Sequence, residues 1–374
     1  MTPTQVCIVA RPMSRTSDRA LRIVALLVLI AATSGCDQLD GRNRNRKGNR
    51  DFRETKFIDA VAEYEKALKT VDDPIIHYNA GLAYSKIAKP GADEGTKIIL
   101  GEKGTFVCDA IPQVAYVTKQ VCMKPGDRRF DECDAKNVCA SSFTCRSAEL
   151  CQLPNTTVAD MSGNHFGVWL KAHPEDAQTR GIMTQVWLDS GQYKVAIDYW
   201  ENLLKQKPND PDIMGSLAGI NLKAGDWRKS IEWYTKVAET VTDQGAKVGA
   251  YQFIGNVAWA KLNSKQLSTA EIVELADRGL GALQKAAELQ PKNPKLVGLQ
   301  ASIFNFRALA HGPSWTAGLD RAAAQDLQHR SRVLSDEAKK AQGLPTTPAP
   351  AVPAAPATPP SGASAGDATP KTGG

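Results

Sequence analysis

Two segments of this chain repeat each other at an offset of 34 residues, and that spacing restricts the possible fold more than any other feature. Gly191 recurs as Gly225, Tyr193 as Trp227, Ile197 as Ile231, Trp200 as Tyr234 and Leu203 as Val237. A period of this length belongs to a pair of antiparallel helices, each with an apolar face that it cannot bury alone, so neighbouring pairs must stack. The recurring residues are a small one at the helix turn and large apolar ones at helical spacing, as the core of such a stack requires.

Around these positions, Met183-Thr184 and Leu217-Ala218 stand where a Leu-Gly pair would, Trp187 where a Tyr would, and Ala196, Trp200 and Pro208 follow in a second helix. The pattern resembles the tetratricopeptide repeat. The next copy departs from it at Ser230 for Ala and Thr242 for Pro. Upstream, Phe57 to Leu68 reads as a second helix preceded by a shortened, polar first helix around Gly48 and Phe52, and Tyr78 to Tyr84 reads as another first helix. The partner of that helix is not where the period places it. A match comes only at Ser162, Phe166, Trp169 and Pro174, so the intervening residues read as an insertion between two helices of one repeat. Downstream, Ile254-Gly255 and Ala286 to Pro291 form a further pair with about a dozen extra residues around Leu262 to Ala270. Ala301, Phe304 and Ala317 to Gln342 form a closing pair with a polar outer face.

The resemblance implies an all-α fold: a tetratricopeptide-like α-α superhelix, or solenoid, carrying a small disulfide-rich insertion of irregular or β structure. Residues 48–88 would hold the N-terminal helices, 89–156 the insertion, 157–343 the remaining repeats and a capping helix, and 344–374 a tail. It also implies a groove lined by the first helices, here Tyr78, Leu82, Gln185, Leu188, Gly215, Gly219, Leu222, Gln252, Asn256 and Trp259. These are largely uncharged, so the expected guest is a helix or extended peptide with apolar anchors.

The amino terminus is basic, with Arg11, Arg15, Arg19 and Arg22 before the apolar run Ile23 to Ala32, a run too short to span a bilayer but suited to a signal peptide. It ends in Thr33-Ser34-Gly35-Cys36, which resembles the lipobox of bacterial lipoproteins. Residues 1–35 are therefore expected to be removed and Cys36 to carry lipid. Counting from Met13 instead of Met1 gives a leader of ordinary length. Residues 36–47 follow as a lipidated basic linker, whose cations would meet anionic head groups or act as a solvated spacer. These features predict a lipid-anchored, periplasm-facing protein of the cell envelope, in either the inner or the outer membrane. Its predicted partners are the bilayer and other envelope proteins or peptides.

Six further cysteines, Cys108, Cys122, Cys133, Cys139, Cys145 and Cys151, all fall in the insertion. An even number in a short segment of an exported chain reads as three disulfides, with fifteen possible pairings. Strand-forming sequence occurs around Thr96 to Val107 and Gln113 to Met123. An envelope metal carrier or redox protein built on these cysteines is the alternative, although no Cys-x-x-Cys pair is present.

Neither a nucleotide loop, a Gly-x-Ser-x-Gly elbow nor a His-Glu-x-x-His motif occurs, and the five histidines are scattered. Asp72-Asp73 and Glu175-Asp176 sit at helix starts beside Pro74 and Pro174, as helix caps rather than catalytic pairs. No enzyme activity, cofactor, metal or small-molecule substrate is expected. The formal charge is +6, and it falls to +3 once the four Arg and one Asp before Cys36 are removed, which is too near balance to call for a nucleic acid. From Leu344 onward the chain is Pro, Ala, Thr, Ser and Gly with two charges, a composition that does not form a core.

Overall fold

The computed structural model describes residues 38–93, 95–123, 131–133, 139, 143–264 and 266–344. The assignments made for residues 1–35, for Cys36 and for the tail beyond Leu344 lie outside the described residues. The chain forms two compact units, one ending at Lys236 and the other beginning at Val237.

The first unit opens with α1, residues 38–53. The basic stretch expected as a linker over 36–47 is thus helical from residue 38, and its inner face is built from small and polar residues. A Cβ on Gly41 would meet Val71 at 2.5 Å, and one on Gly48 would meet the Tyr64 ring at 2.5 Å. Asn45 accepts from Asn79 (3.1 Å) and Asn49 accepts from the Tyr64 hydroxyl (2.7 Å). Arg44 and Lys47 pair with Glu63, a carboxylate only 2% exposed. A buried charge must be paired, so these two cations are committed to the fold.

Helices α2 (Phe57–Leu68) and α3 (Pro74–Ile87) follow, then the insertion, then α5 (Asn155–Ala172), α6 (Ala177–Asp189), α7 (Tyr193–Gln206) and α8 (Pro211–Lys223). Helix α9 (Trp227–Thr240) carries the chain into the second unit. The 34-residue period has a direct structural cause. Gly191 and Gly225 each follow a first helix and adopt left-handed backbone, φ +77° and +91°, which an L side chain resists. Ala196 and Ser230 occupy matching positions and are both fully buried where helices approach closely.

Helix α3 packs on α5 although the insertion separates them. Ser162 Oγ donates to the Gly81 carbonyl (2.9 Å), the Phe166 ring lies where a Gly81 Cβ would come within 2.9 Å, and Tyr78 sits 4.9 Å from Trp169. Asp73 caps α3 and Asp176 caps α6, while Asp72 turns away to His77.

Asp176 accepts from Thr179 Oγ1 (2.6 Å), from Thr179 N (2.9 Å) and from Trp169 Nε1 (2.8 Å), and these bonds hold its carboxyl down to about 2. A depressed folded-state pKa stabilises above the unfolded value and is lost as pH falls toward the folded one. Asp176→Ala should therefore cost about 1–2 kcal/mol at neutral pH. The loss should shrink between about pH 4 and pH 2 as wild type surrenders the same contribution. Urea midpoints across that range check both points.

The insertion is a four-stranded antiparallel sheet in the order β1-β4-β2-β3, with a short helix α4 (Phe106–Ala110). Strands β1 (Lys97–Glu102) and β2 (Ala115–Met123) fall within the two stretches predicted from sequence. Strand β3 spans Asp131–Glu132, and β4 (Thr144–Pro154) is the longest and pairs with both β1 and β2. The disulfides are Cys108–Cys151, Cys122–Cys139 and Cys133–Cys145. The sheet does not enclose a core of its own size. Ile98, Leu100, Cys108, Cys151 and Leu153 join Tyr64, Tyr84 and Ile87 of the helices in one cluster, and only Val121, Met123, Ala148 and Leu150 form a separate small one.

The second unit holds α10 (Gln244–Asn263), α11 (Thr269–Leu289), α12 (Pro294–Ala310) and α13 (Trp315–Ala341). The extra residues around Leu262 to Ala270 lengthen α10 and α11 rather than forming a loop excursion, and Ser268 with Glu271 closes a capping box at the start of α11. Leu283 covers the main chain at Gly255. Arg307 grips Asp320 with two bonds (3.1 and 2.7 Å) and also reaches Asp277, tying α11, α12 and α13 together.

Candidate functional site

The ten candidate groove residues divide between the units, with Gly215 and Gly219 on α8 of the first. Tyr78, Leu82, Gln185, Leu188 and Leu222 lie in the first, on α3, α6 and α8, and Gln252, Asn256 and Trp259 lie in the second, on α10.

In the first unit, Tyr78, Leu82 and Leu188 are half-buried and pack against the cluster of Phe166, Leu170, Met183, Trp187, Ala196 and Ile220. Part of each side chain therefore stabilises the fold and only the remainder is presented outward. Gln185 is exposed and accepts from Lys223 (3.3 Å), linking α6 to α8. Gly215 and Gly219 have nothing within 4 Å of where a Cβ would stand, so the α8 main chain is open to close approach beside Leu222. In the second unit, Gln252, Asn256 and Trp259 stand three and four residues apart, on one face of α10. Trp259 is 42% exposed and the neighbouring Phe253, which the repeat pattern did not single out, is 53% exposed.

Residues 187–244 match the tetratricopeptide repeat family. The central hairpins are tetratricopeptide repeats. No curated protein matches the chain over its sequence. Among solved structures, a crystal structure of MamA shares 16% identity and covers 52% of this chain and 91% of its own, with a TM-score of 0.34. Nro1, described as a nuclear import adaptor, shares 10% identity over 84% of this chain and 91% of its own (TM-score 0.33). Yeast Tom70 shares 11% over 80% and 84% (TM-score 0.22). Overlap at this level assigns no partner. Tetratricopeptide repeats form protein-interaction scaffolds and are typically not catalytic.

The cysteines do not form a metal centre. The sulfurs of Cys122, Cys133 and Cys139 lie within 4.8 Å of one another, a spacing that would suit an ion, but each is bonded to another sulfur. A metal needs thiolates, and a disulfide offers none.

Two of the histidines that look scattered in sequence meet in the fold. His77 Nδ1 and His165 Nδ1 are 2.8 Å apart, His77 Nε2 is 2.9 Å from Asp72 and His165 Nε2 is 3.1 Å from Glu65, which also accepts from the Tyr84 hydroxyl (2.7 Å). The ring centroids lie 5.0 Å apart, close to the contact plus the two ring radii, so the nitrogens meet head-on. A separation of 2.8 Å leaves no room for an ion between them. The chain of bonds joins α2, α3 and α5 and serves the hairpin. Nothing in the sequence foretells it, because the two rings are 88 residues apart.

Among the described residues no helix is long and apolar enough to cross a membrane.

Proposed function

We propose that this chain is a lipid-anchored scaffold of the bacterial cell envelope, facing the periplasm, whose tetratricopeptide repeats dock other envelope proteins during the assembly of a larger machine. The observation that carries the scaffold reading is the open α8 surface, where Gly215 and Gly219 bare the main chain next to Leu222 and Gln185. A partner helix or strand can approach closely there and anchor apolar side chains.

The anchor reading rests on the lipobox-like Thr33 to Cys36 and on α1. Arg42, Arg46 and Arg50 stand exposed at successive turns of that helix, opposite the face that Arg44 and Lys47 turn to Glu63. Three outward cations close to an acylated residue would contribute about 1 kcal/mol each against anionic head groups. They would set the angle of the domain more than its retention.

Two experiments test the reading. Labelled palmitate should enter the wild-type chain and not Cys36→Ser, and globomycin should block maturation. An unlabelled mature chain would refute the anchor. Photo-crosslinkers placed at Gly219 and at Asn256 should capture envelope proteins that one at Lys194 on the opposite helices does not; capture from Lys194 alone would refute the groove.

A further inference from the structure

We propose that the open edge of the insertion's sheet is a second docking site, one that takes an extended acidic peptide as an added strand on β1. In the order β1-β4-β2-β3, β1 is terminal and, among the described residues, pairs only with β4. A cavity of about 600 Å³ lies against it, bounded by the start of α2, the end of α3 and the four consecutive residues Lys97, Ile98, Ile99 and Leu100. Side chains of a strand alternate between faces, and these do: Ile98 and Leu100 enter the main core, whereas Ile99 packs on the small distal cluster. What four successive residues can show to one cavity is the strand's edge, where alternate N–H and C=O groups have no ladder partner.

Edges of this kind are usually covered or blunted. Here the bulge between Ile99 and Gly101 limits the straight part of the edge to the residues that line the cavity, so the added segment would be short. The apolar walls are Phe57, Ile58 and Ile87. The rim is basic. Lys56 pairs with Glu54 at 2.7 Å, but Lys86, Lys89 and Lys97 are exposed and have no ion pair among the described residues, and Asp59 is the one acid lining the cavity there.

Those charges choose the occupant. A second copy of the chain would set β1 against β1 and bring the lysines of both together, which costs free energy. The Pro-rich segment after Leu344 has one Asp and one Lys, and proline cannot donate to a ladder. An extended peptide that alternates apolar residues with carboxylates satisfies the edge, the walls and the rim together. This site is independent of the helical groove, since no residue is shared.

The test uses the full oxidised chain and a fluorescein-labelled peptide of about eight alternating Val and Glu residues, with fluorescence anisotropy as the readout. Binding is expected, and Lys86→Glu with Lys97→Glu should weaken it by roughly tenfold or more without altering the circular dichroism. Two peptides, N-methylated at one or the other set of alternate residues, separate strand addition from plain charge attraction. One should bind as before and the other should lose binding, because only one set donates to β1. Equal binding by both methylated peptides overturns the proposal. So does equal binding by a Val/Lys peptide, failure of the Val/Glu peptide to bind, or a native mass spectrum showing a dimer that the peptide cannot dissociate.

Discussion

Phe166→Ala is expected to lower the stability of the first unit by about 3–5 kcal/mol. The ring is fully buried and lies directly over the Gly81 main chain, with Tyr78, Met183 and Trp187 in the same cluster. The space it vacates cannot close easily. Helix α3 is held to α5 by the Ser162 to Gly81 hydrogen bond and by the His77–His165 contact, so the backbones cannot slide together to fill the gap. A cavity with rigid walls puts the cost at the upper part of the usual range. Urea unfolding followed by tryptophan fluorescence measures it, with Leu309→Ala as a control at a residue 74% exposed, where the change should stay within about 0.5 kcal/mol. A loss below about 1 kcal/mol for Phe166→Ala would mean that α3 and α5 are not partners of one hairpin.

Replacing Cys108 and Cys151 together by Ala should cost about 2–5 kcal/mol, and the damage should extend beyond the insertion. The bridge ties α4 to the later part of β4, and both sulfurs sit in the cluster that also holds Tyr84 and Ile87. Loosening β4 therefore uncovers the end of α3. The Cys133–Cys145 bridge closes a shorter loop, 12 residues against 43, away from that cluster, so removing it should cost less and stay local. Hydrogen exchange on the intact chain distinguishes the two. Protection should fall in β1, β4 and α3 for the first variant and only around β2 and β3 for the second. Unchanged protection of α3 in the first variant would show the sheet and the helices to be energetically separate.

The same shared core explains what the sequence disclosed and what it hid. Gly191 and Gly225 announce the hairpins because a left-handed turn demands glycine at the same place in each copy. Phe166 and Trp169 identify the displaced partner of Tyr78 because buried aromatic residues keep helical spacing wherever the chain places them. Helix α1 is hard to see for the opposite reason. Its packed face consists of Gly41, Asn45 and Gly48, which carry no apolar period, and its charges read as a solvated run although two of them neutralise Glu63. Strand β4 is hidden because Thr144 to Ser147 are exposed or half-buried and the alternation after them is broken by the consecutive buried pair Leu150 and Cys151. The extra residues near Leu262 could be counted but not placed, since one more turn on each of two helices and a longer loop look alike in sequence. The groove candidates were legible as a face and not as a burden: half of their surface in the first unit belongs to the core.

The interruption between Ile87 and Asn155 also sets a timetable for folding. Hairpins such as α6 with α7 join residues close in sequence and can form at once, whereas α3 must wait until a long intervening segment has brought α5 back to it, an entropic delay that grows with the length of the detour. The Cys108–Cys151 link shortens that detour, because Cys151 lies four residues before α5 begins. Oxidation should therefore act as a gate on the last repeat to close, and a chain held reduced should linger with its sequence-local hairpins formed and the α3–α5 pair open.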